Sequence, residues 1–486
     1  MAQYQEGLLL IDGELKRAHS GKTYPVISPW TEQSIGVAAD ASLEDLVDAI
    51  AAARRAFDET DWSVNVDMRK KVLVRYAQLL KENRDRFAAV ARDEVGAAGA
   101  TILGPQCDGP LSGLDATLDI LDNYQWERDL GIAEMYGVKS RRIVRHEAVG
   151  VVAAITPWNV PLQINLAKVF PALAAGCTVI LKPAPETPLS AALLGELAVK
   201  AGIPAGVFNV LTGADAALLG EGLVTDPGVD LISFTGSTAV GKRIMAQGAA
   251  TMKRVFLELG GKSASIFLDD ADLENQIGGA VMALYNAGQG CACLTRLLVP
   301  RAKHDLAVGI LKSAFENLPY GDPEAPFELM GPLISERQRQ RVLDYIEVGK
   351  AEGAQLVCGG GVPEGLPTGY FVQPTLFANV DNSMRIAREE IFGPVLVVIP
   401  HDGDDDAVRI ANDSDYGLSG AVTSASLERA LSVANRVRTG TLSVNGGNWF
   451  AADVPFGGYK QSGIGREMGV EGFEEYLEVK ALGLPA

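Results

Sequence analysis

Short apolar runs alternate with longer helical stretches from Ala148 onward. An apolar run at 148–155 is followed by a helical stretch at 163–175, an apolar run at 177–182 and a helix at 188–202. The segments "GVFNVLTG" and "VDLISFTGS" continue the pattern, with helices between them. Strands alternating with helices of this length predict parallel β-α-β units in an open, doubly wound sheet. The ligand of such a sheet lies beyond the carboxyl ends of the strands.

A second α/β series runs from Ser263 to about Ser443. Its strands are predicted around "SASIFL", "LLVP", "PVLVVIP" and "SGAVTS". This repetition of the pattern predicts a second domain of similar class.

Two helices are predicted before the first series. Ser42 and Asp45 form a capping-box pattern, after which one helical face carries Leu43, Leu46, Ile50 and Phe57. A second helix is predicted over 69–91.

Two further segments have strand character. The stretch "VKSRRIVRHE" at 138–147 predicts an extended, half-exposed ribbon, and the tail "EEYLEVKALGLP" predicts a short final strand. Pairing across a subunit boundary and simple edge strands explain these segments equally well.

Composition excludes several classes of protein. A formal charge of −18 and a pI near 4.8 over 486 residues disfavour nucleic acid and anionic membranes as partners. The apolar region between Ala148 and Leu181 is interrupted by prolines, Asn159 and Lys168, and the N-terminus lacks a basic start followed by a long apolar core. We therefore expect a soluble, cytoplasmic protein.

The thiols form no disulfide or metal pattern. The five cysteines are odd in number and scattered, which predicts reduced thiols: Cys107, Cys177, Cys291, Cys293 and Cys358. The four histidines are far apart, so no metal site is expected. Two of the cysteines lie in "NAGQGCACLTR", where a metal site, a redox pair and a single nucleophile are all open interpretations.

A glycine-containing stretch, "FTGSTAVGKR", ends one strand and opens a helix. Backbone amides near Gly236, Ser237, Thr238 and Gly241 are placed to receive a phosphate, although a ligand-free glycine turn is equally consistent with this segment. A P-loop would need Ser or Thr where Arg243 stands, so a nucleoside triphosphatase is disfavoured.

Three separate segments supply groups suited to acyl chemistry through sulfur. Cys291 follows small residues that let a substrate carbon approach its sulfur, and Glu258 ends an apolar strand where burial would raise the pKa of its carboxyl. Asn159 lies between two prolines, which restrict the backbone that would present its amide to an oxyanion. Taken singly, each has an ordinary structural explanation.

The whole chain resembles the aldehyde dehydrogenase superfamily. The resemblance rests on "TPWNVPL", "ILKPAPETP", "FTGSTAVG", "LELGGKS", "GQGC", "EEIFGPV" and "PFGGYKQSGIGRE", in family order. It implies two doubly wound open-sheet domains plus a small β oligomerisation element. The implied division is a dinucleotide-binding domain at 1–127 and 150–258 with 446–473 packed on it, a catalytic domain at 259–445, and oligomerisation strands at 128–149 and 474–486.

The resemblance also assigns roles to residues. It implies that Cys291 is the nucleophile, Glu258 the base, and Asn159 with the Cys291 backbone N–H the oxyanion hole. The implied contacts of the nicotinamide dinucleotide are Ile155, Thr156, Pro157, Trp158, Lys182, Pro185, Glu186, Phe234, Gly236, Ser237, Gly241, Leu259, Gly260, Glu390 and Phe392. Glu390 would bind ribose hydroxyls.

The expected cofactor is NAD. NAD-preferring relatives commonly carry a glutamate three residues after the lysine that matches Lys182. Here Pro185 occupies that position and Glu186 follows, so use of NADP also stays open.

The substrate pocket is expected to be roomy and mainly apolar, because positions often filled by aromatic residues hold Val160 and Ala167. The implied pocket residues are Val160, Gln163, Ala167, Tyr285, Gly290, Ala292, Phe450 and Phe456. This favours medium-chain, long-chain or aromatic aldehydes. The assembly implied is a homodimer or homotetramer, and Cys293 is expected to serve packing or to be a site of oxidation.

The implied reaction oxidises an aldehyde to a carboxylic acid. Sulfur adds to the aldehyde carbon, hydride leaves the thiohemiacetal, and water activated by Glu258 hydrolyses the thioester that remains. Because a thiol has a pKa of about 8.5, the loop around Cys291 is expected to favour the thiolate. A cysteine-dependent (thio)esterase and a catalytically silent structural member of the fold are the alternatives.

Overall fold

The computed structural model describes residues 3–486. Its strands are β1 (Leu9–Ile11), β2 (Glu14–Lys16), β3 (Thr23–Ile27), β4 (Ser34–Ala39), β5 (Glu127–Met135), β6 (Val138–Ala148), β7 (Val151–Ile155), β8 (Thr178–Lys182), β9 (Phe208–Val210), β10 (Leu231–Thr235), β11 (Arg254–Glu258), β12 (Ala264–Phe267), β13 (Arg296–Pro300), β14 (Gln355–Cys358), β15 (Thr375–Ala378), β16 (Val395–His401), β17 (Tyr416–Gly417), β18 (Gly420–Thr423), β19 (Ser443–Val444), β20 (Tyr459–Lys460), β21 (Gly463–Ile464) and β22 (Leu477–Pro485).

The α-helices are α1 (Leu43–Glu59), α2 (Val66–Glu82), α3 (Arg84–Val90), α4 (Gly99–Thr101), α5 (Asp108–Asn123), α6 (Pro161–Ala175), α7 (Pro188–Ala201), α8 (Ala216–Thr225), α9 (Thr238–Gly248), α10 (Leu273–Gln276), α11 (His304–Glu316), α12 (Glu336–Ala351), α13 (Arg385–Arg388), α14 (Asp404–Asn412), α15 (Leu427–Ala434) and α16 (Gly469–Glu474). Segments Ala91–Val95 and Ile102–Gln106 are π-helical, and Asp61–Ser63, Ala249–Thr251, Ile277–Gly288 and Arg301–Lys303 are 3₁₀-helical. Gly104 in the second π-helical segment, and Tyr285, Asn286 and Ala287 in the third 3₁₀ segment, depart from helical backbone angles.

The larger sheet has eight strands in the order β2-β1-β9-β8-β7-β10-β11-β21. The five strands from β9 to β11 are parallel. Chain order runs outward from β7 through β8 to β9 and then returns to place β10 on the other side of β7. This reversal between β7 and β10 is the topological switch point at which open α/β sheets bind ligands.

Helices cover both faces of this sheet because successive strand residues point to opposite sides. Val151 and Ala153 of β7 pack with α1 and α8, whereas Val152 and Ala154 pack with α2, α5, α6 and α7. Strands buried on both faces explain why the sequence shows continuous apolar runs here rather than alternation.

The second sheet has seven strands in the order β14-β15-β16-β13-β12-β18-β19, and all its pairs except β14–β15 are parallel. Arg296, at the start of β13, is buried. Its guanidinium donates to the carbonyls of Lys262, Ile410 and Ala411 and so joins three segments of this unit.

A separate antiparallel sheet has the order β22-β6-β5. The C-terminal strand β22 pairs with β6 along its whole length, from Leu477 opposite Ala148 to Pro485 opposite Ser140. The sheet carries exposed apolar side chains, among them Ile132, Met135 and Val479.

The α/β, doubly wound fold predicted from the sequence is confirmed, as is the capping box. The Ser42 hydroxyl oxygen accepts from the Asp45 N–H, and an Asp45 carboxylate oxygen accepts from the Ser42 N–H. Leu43, however, is half exposed, and the buried face of α1 centres on Leu46 and Ile50. The predicted domain boundaries stay a prediction.

The single helix predicted over 69–91 is wrong. It is two helices, α2 and α3, separated at Asn83. The Asn83 side chain donates to the Leu79 carbonyl and thereby competes with the backbone ladder, which apolar periodicity alone does not reveal. Across residues 3–486, no helix is long and apolar enough to span a membrane.

Candidate active site

The predicted cofactor residues meet at the carboxyl edge of the larger sheet. Strand register places Lys182 beside Ile155, Ile155 beside Phe234, and Thr235 beside Glu258. Parallel pairing therefore brings segments that are up to about a hundred residues apart into one row. The loop that follows β7 carries three more predicted residues, Thr156, Pro157 and Trp158.

Helix α9 begins at this edge, directly after β10. Ser237 is its N-cap, and the Ser237 hydroxyl accepts from the Val240 N–H at 3.4 Å. A Cβ at Gly241 would lie 2.7 Å from a Leu259 methyl carbon, so glycine lets the helix pack closely on the loop after β11. The Gly236 N–H donates to the Glu258 carbonyl. The start of the helix, with its positive dipole end, therefore faces the crevice.

Lys182 ends β8 in the same row and is buried. Burial lowers the pKa of its ammonium to about 8, while the nearby Glu186 carboxylate opposes that shift. Glu186 itself lies 3.5 Å from Arg337, and Pro185 precedes it. An anionic or hydroxyl-bearing ligand would offset the burial of this ammonium group.

The loop that carries Cys291 has an unusual backbone. Asn286, Ala287 and Gly288 are left-handed, with φ of 54°, 55° and 70°. A Cβ at Gly288 would lie 2.0 Å from the carbonyl oxygen of Gly393, so only glycine lets the loop rest on the "IFGPV" segment. This packing holds the cysteine segment against the second sheet.

Cys291 lies against the loop that follows β11. A Cβ at Gly261 would be 2.5 Å from the Cys291 carbonyl oxygen, and the Cys291 thiol is close enough to the Glu258 carboxyl for each group to shift the other's pKa. The two predicted groups, from segments 33 residues apart, are thus neighbours in the fold.

Glu258 is 2 % exposed, and its Oε1 has no hydrogen-bond partner in the described part of the chain. Burial raises the pKa of its carboxyl well above the usual value. The Glu467 carboxylate adds to that rise, whereas the Lys168 ammonium opposes it. A carboxyl with a raised pKa is suited to general base chemistry near neutral pH.

The expectation that the loop favours the thiolate is wrong. Burial of the Cys291 thiol, followed by the charges of Glu258 and Glu390, raises its pKa well above the usual value. The main influences on this pKa include no cationic side chain. Two carboxylates facing one thiol disfavour a further negative charge.

A buried ion pair that the sequence analysis missed supports this region. Lys168 Nζ contacts Glu467 Oε1 at 2.5 Å and Ser233 Oγ at 3.3 Å, and lies 4.7 Å from the centre of the Phe256 ring. The sequence offered two signals of this ion pair. One is a lysine inside the otherwise apolar helix at 163–175, and the other is a glutamate within "PFGGYKQSGIGRE".

Asn159 is held so that one amide hydrogen is committed and the other is not. Its Nδ2 donates one hydrogen to the Gln289 carbonyl at 3.0 Å. The second hydrogen of the same amide takes no part in that bond. The backbone N–H of Cys291 makes no hydrogen bond to any residue in the range 3–486. These two N–H groups come from the segments that the sequence predicts for an oxyanion hole.

Glu390 and Phe392 complete the crevice from the second sheet. Glu390 Oε1 accepts from the Gly261 N–H at 2.9 Å, and burial raises the pKa of this carboxyl to about 7. Phe392 and Trp158 meet edge to face, with ring centres 5.4 Å apart. Ser462 accepts from the Leu259 N–H and donates to the Gly260 carbonyl, so the C-terminal motif fixes the loop between them.

An apolar cavity of about 70 Å³ lies between α5 and α6. Three predicted pocket residues line it, namely Gln163, Ala167 and Phe450. The structure adds Leu114, Thr117, Ile120, Leu166, Phe170 and Phe473, which no motif signalled. Val160, Tyr285, Gly290, Ala292 and Phe456 are not among its lining residues. Because the helix rises 1.5 Å per residue, the wall extends about 10 Å from Gln163 to Phe170.

The roomy, mainly apolar pocket expected from the sequence stays a prediction, because none of Cys291, Glu258 and Asn159 lines this cavity. Side chains from α5 and Phe473 line the same cavity as Ala167. Beyond Ile120 and Ala452 the cavity adjoins a wider surface groove of about 620 Å³ that Tyr124 and Val470 also line. An apolar cavity of about 150 Å³ holds one benzene ring. The cavity of about 70 Å³ between α5 and α6 therefore suits a slender hydrocarbon chain, and the wider groove suits a bulkier group at the end of that chain.

Cys293 belongs neither to the proposed catalytic groups nor to the residues that line the cavity. A Cβ at Gly290 would lie 2.8 Å from its sulfur, and burial raises the pKa of its thiol to about 12. No group of three metal-ligating side chains occurs within residues 3–486.

Known proteins match this chain closely along its whole length. The aldehyde dehydrogenase family profile matches residues 16–482. A 3-succinoylsemialdehyde-pyridine dehydrogenase from a Pseudomonas species is 45 % identical over 99 % of each chain. A putative aldehyde dehydrogenase from Bacillus subtilis is 41 % identical over 98 % of this chain and 94 % of its own length.

Solved structures agree with these relatives. An aldehyde dehydrogenase from Mycobacterium tuberculosis, complexed with NAD⁺, superposes with a TM-score of 0.95 at 41 % identity and covers 100 % of this chain and 99 % of its own. A cysteine-to-alanine mutant of aldehyde dehydrogenase C from Pseudomonas syringae, complexed with NAD⁺ and octanal, gives 0.92 at 41 % identity, with coverage of 98 % and 96 %. The chain belongs to the aldehyde dehydrogenase family.

Proposed function

We propose that this protein oxidises an aldehyde to the carboxylic acid with NAD⁺, through a thioester on Cys291 that Glu258 helps water to hydrolyse. The observation that carries the proposal is the meeting of the Cys291 thiol with the buried Glu258 carboxyl, beside an asparagine amide clamped to the cysteine loop.

In the first step, the Cys291 thiol gives its proton to solvent water and its sulfur adds to the aldehyde carbon. The carbonyl oxygen becomes an oxyanion, which the second N–H of Asn159 and the backbone N–H of Cys291 stabilise by donating to it. Sulfur must add first because the adduct, unlike the aldehyde, can expel hydride as its oxyanion collapses. A thioester between Cys291 and the acyl group remains.

In the second step, Glu258 takes a proton from water, which attacks the thioester carbon. The bond from carbon to sulfur breaks, the carboxylic acid leaves, and the proton held by Glu258 passes to the Cys291 sulfur, which restores both groups. Because burial raises the pKa of both the Glu258 carboxyl and the Cys291 thiol, the reactive ionised forms of both groups gain population as pH rises.

The crevice fits a nicotinamide dinucleotide. The buried Lys182 ammonium and the Glu390 carboxylate suit ribose hydroxyls, and the start of α9 at Ser237 suits a phosphate. When bound, NAD⁺ accepts the hydride. We favour NAD over NADP because the Glu186 carboxylate lies close enough to shift the pKa of Lys182 and would repel a 2′-phosphate, and because two structural neighbours hold NAD⁺.

The substrate we propose has a slender apolar segment next to the aldehyde. The narrow cavity along α6 suits a hydrocarbon chain, and the wider groove beyond it suits a ring. Octanal in one structural neighbour and the pyridine ring in the name of one relative's substrate are consistent with this class.

We further propose a homo-oligomer formed through the β22-β6-β5 sheet. A second copy of the chain would cover its exposed apolar side chains. Strands β22 and β5 lie at the two edges of this sheet, where backbone groups are open to pairing with another strand. The scattered thiols favour a reducing compartment such as the cytoplasm.

Replacing each of the two adjacent cysteines tests the choice of nucleophile. Cys291→Ala should abolish aldehyde-dependent formation of NADH, measured at 340 nm, whereas Cys293→Ala should retain more than about half of it. The two variants are matched, because each removes one sulfur from the same loop. Activity in Cys291→Ala, or no absorbance rise in the wild type with NAD or NADP and a panel of aldehydes, would contradict the proposal.

Replacing Glu258 by glutamine tests the hydrolytic step. Glu258→Gln should produce about one NADH per active site and then stop, because the thioester forms but water is not activated. Intact-mass measurement should show the protein heavier by the acyl group. Steady turnover in this variant at the wild-type rate would mean that another group is the base.

A series of aldehydes tests the shape of the substrate site. Each buried methylene contributes about 0.8 kcal/mol, so kcat/KM for octanal should exceed that for acetaldehyde by at least about tenfold. Ala167→Trp should fill the cavity and lower kcat/KM for octanal by more than about tenfold, with acetaldehyde as the internal control. A kcat/KM for acetaldehyde well above those for octanal and benzaldehyde would refute the proposed substrate class.

A further inference from the structure

Four amide side chains form a buried cluster around the oxyanion asparagine. They are Gln106, Asn159, Asn286 and Gln289, each less than 10 % exposed. Three separate segments supply them: the π-helical turn before α5, the loop after β7, and the loop that carries Cys291. The cluster therefore ties the predicted oxyanion donor to the nucleophile's own loop.

The hydrogen bonds of the cluster run in a defined direction. Asn159 donates through Nδ2 to the Gln289 carbonyl at 3.0 Å, and Asn286 Nδ2 donates to the same carbonyl at 3.3 Å and to the Asn159 carbonyl at 3.0 Å. Gln289 is fixed in turn, because its Oε1 accepts from the Ile334 N–H and its Nε2 donates to the Pro332 carbonyl.

Gln106 closes the cluster from outside the catalytic segments. Its Nε2 donates to the Asn159 carbonyl at 2.7 Å and to Asn286 Oδ1 at 3.2 Å. Both contacts require the amide nitrogen, so the orientation of the Gln106 side chain is determined. Without Gln106, Asn286 Oδ1 would lose this donor, and the Asn159 carbonyl would keep only Asn286.

We propose that Gln106 is a positioning residue for the oxyanion hole. It fixes the Asn159 backbone and the Asn286 amide together, which aims the remaining N–H of Asn159 at the developing oxyanion. Gln106 does not line the substrate cavity, and it acts through Asn159 rather than on the substrate. This inference rests on the oxyanion role proposed for Asn159.

A displacement of about 1 Å in a reacting group can lower a rate by about a hundredfold. Gln106→Leu should therefore lower the single-turnover rate of NADH formation by about 10 to 100-fold. Alkylation of Cys291 by iodoacetamide at fixed pH should stay within about twofold of the wild type, since that reaction develops no oxyanion. Thr101→Val is the matched control, because Thr101 is equally buried, lies just before the same turn and donates only to Ala98.

A double-mutant cycle separates positioning from general support of the fold. Asn159→Ala alone should lower the rate by about 10² to 10³-fold, and adding Gln106→Leu should then lower it by less than about twofold. Independent, multiplying losses, or a Gln106→Leu rate within twofold of the wild type, would overturn the inference. Near-full turnover in Asn159→Ala would instead overturn the proposed oxyanion hole itself.

Gln106→Glu provides a second variant of nearly the same shape. It places a carboxylate against two oxygen acceptors and should lower the hydride rate at least as much as Gln106→Leu. If neither variant folds while Thr101→Val does, Gln106 is a residue of general stability and the positioning role is wrong.

Discussion

The structure depends on keeping the Glu258 carboxyl buried next to the Cys291 thiol without a cation in direct contact with either group. Burial of an ionisable group without a partner is unfavourable, and the raised pKa values of both groups express that cost. The surrounding framework offsets that cost by holding the two segments that carry these side chains against each other. Much of the remaining architecture of the site can be understood as that framework.

Three devices provide the framework. The parallel register of β10 and β11 fixes Glu258 at the carboxyl edge, and the Lys168–Glu467 ion pair adds charges of both signs behind it. The left-handed backbone before Cys291 rests on Gly393. The amide cluster then connects the cysteine loop to Asn159. Burial is the main cause of the raised pKa of Glu258; Glu467 adds to it and Lys168 partly offsets it.

Much of this arrangement could be predicted from the sequence. Strands buried on both faces give continuous apolar runs, so the larger sheet and its carboxyl edge were predictable, and the motifs placed Lys182, Glu258 and Cys291 near that edge. What escaped prediction depends on contacts between distant segments. Gln106 and Asn286 follow no local pattern, and the break at Asn83 interrupts a helix whose apolar periodicity continues. The lining of the cavity between α5 and α6 was predicted only in part, because α5 and Phe473 contribute to it from segments distant in sequence from Ala167.

The most direct test of the account is the pH dependence of Cys291 alkylation in the wild type and in Glu258→Gln. The rate of iodoacetamide modification, followed on the Cys291 peptide by mass spectrometry, reports the thiolate fraction. The Glu258 carboxylate disfavours a second negative charge beside it and so raises the pKa of the thiol. Neutral glutamine should therefore move the midpoint of alkylation to lower pH. An unchanged midpoint, or one moved to higher pH, would show that the carboxyl does not act on the thiol and would contradict the arrangement on which the account rests.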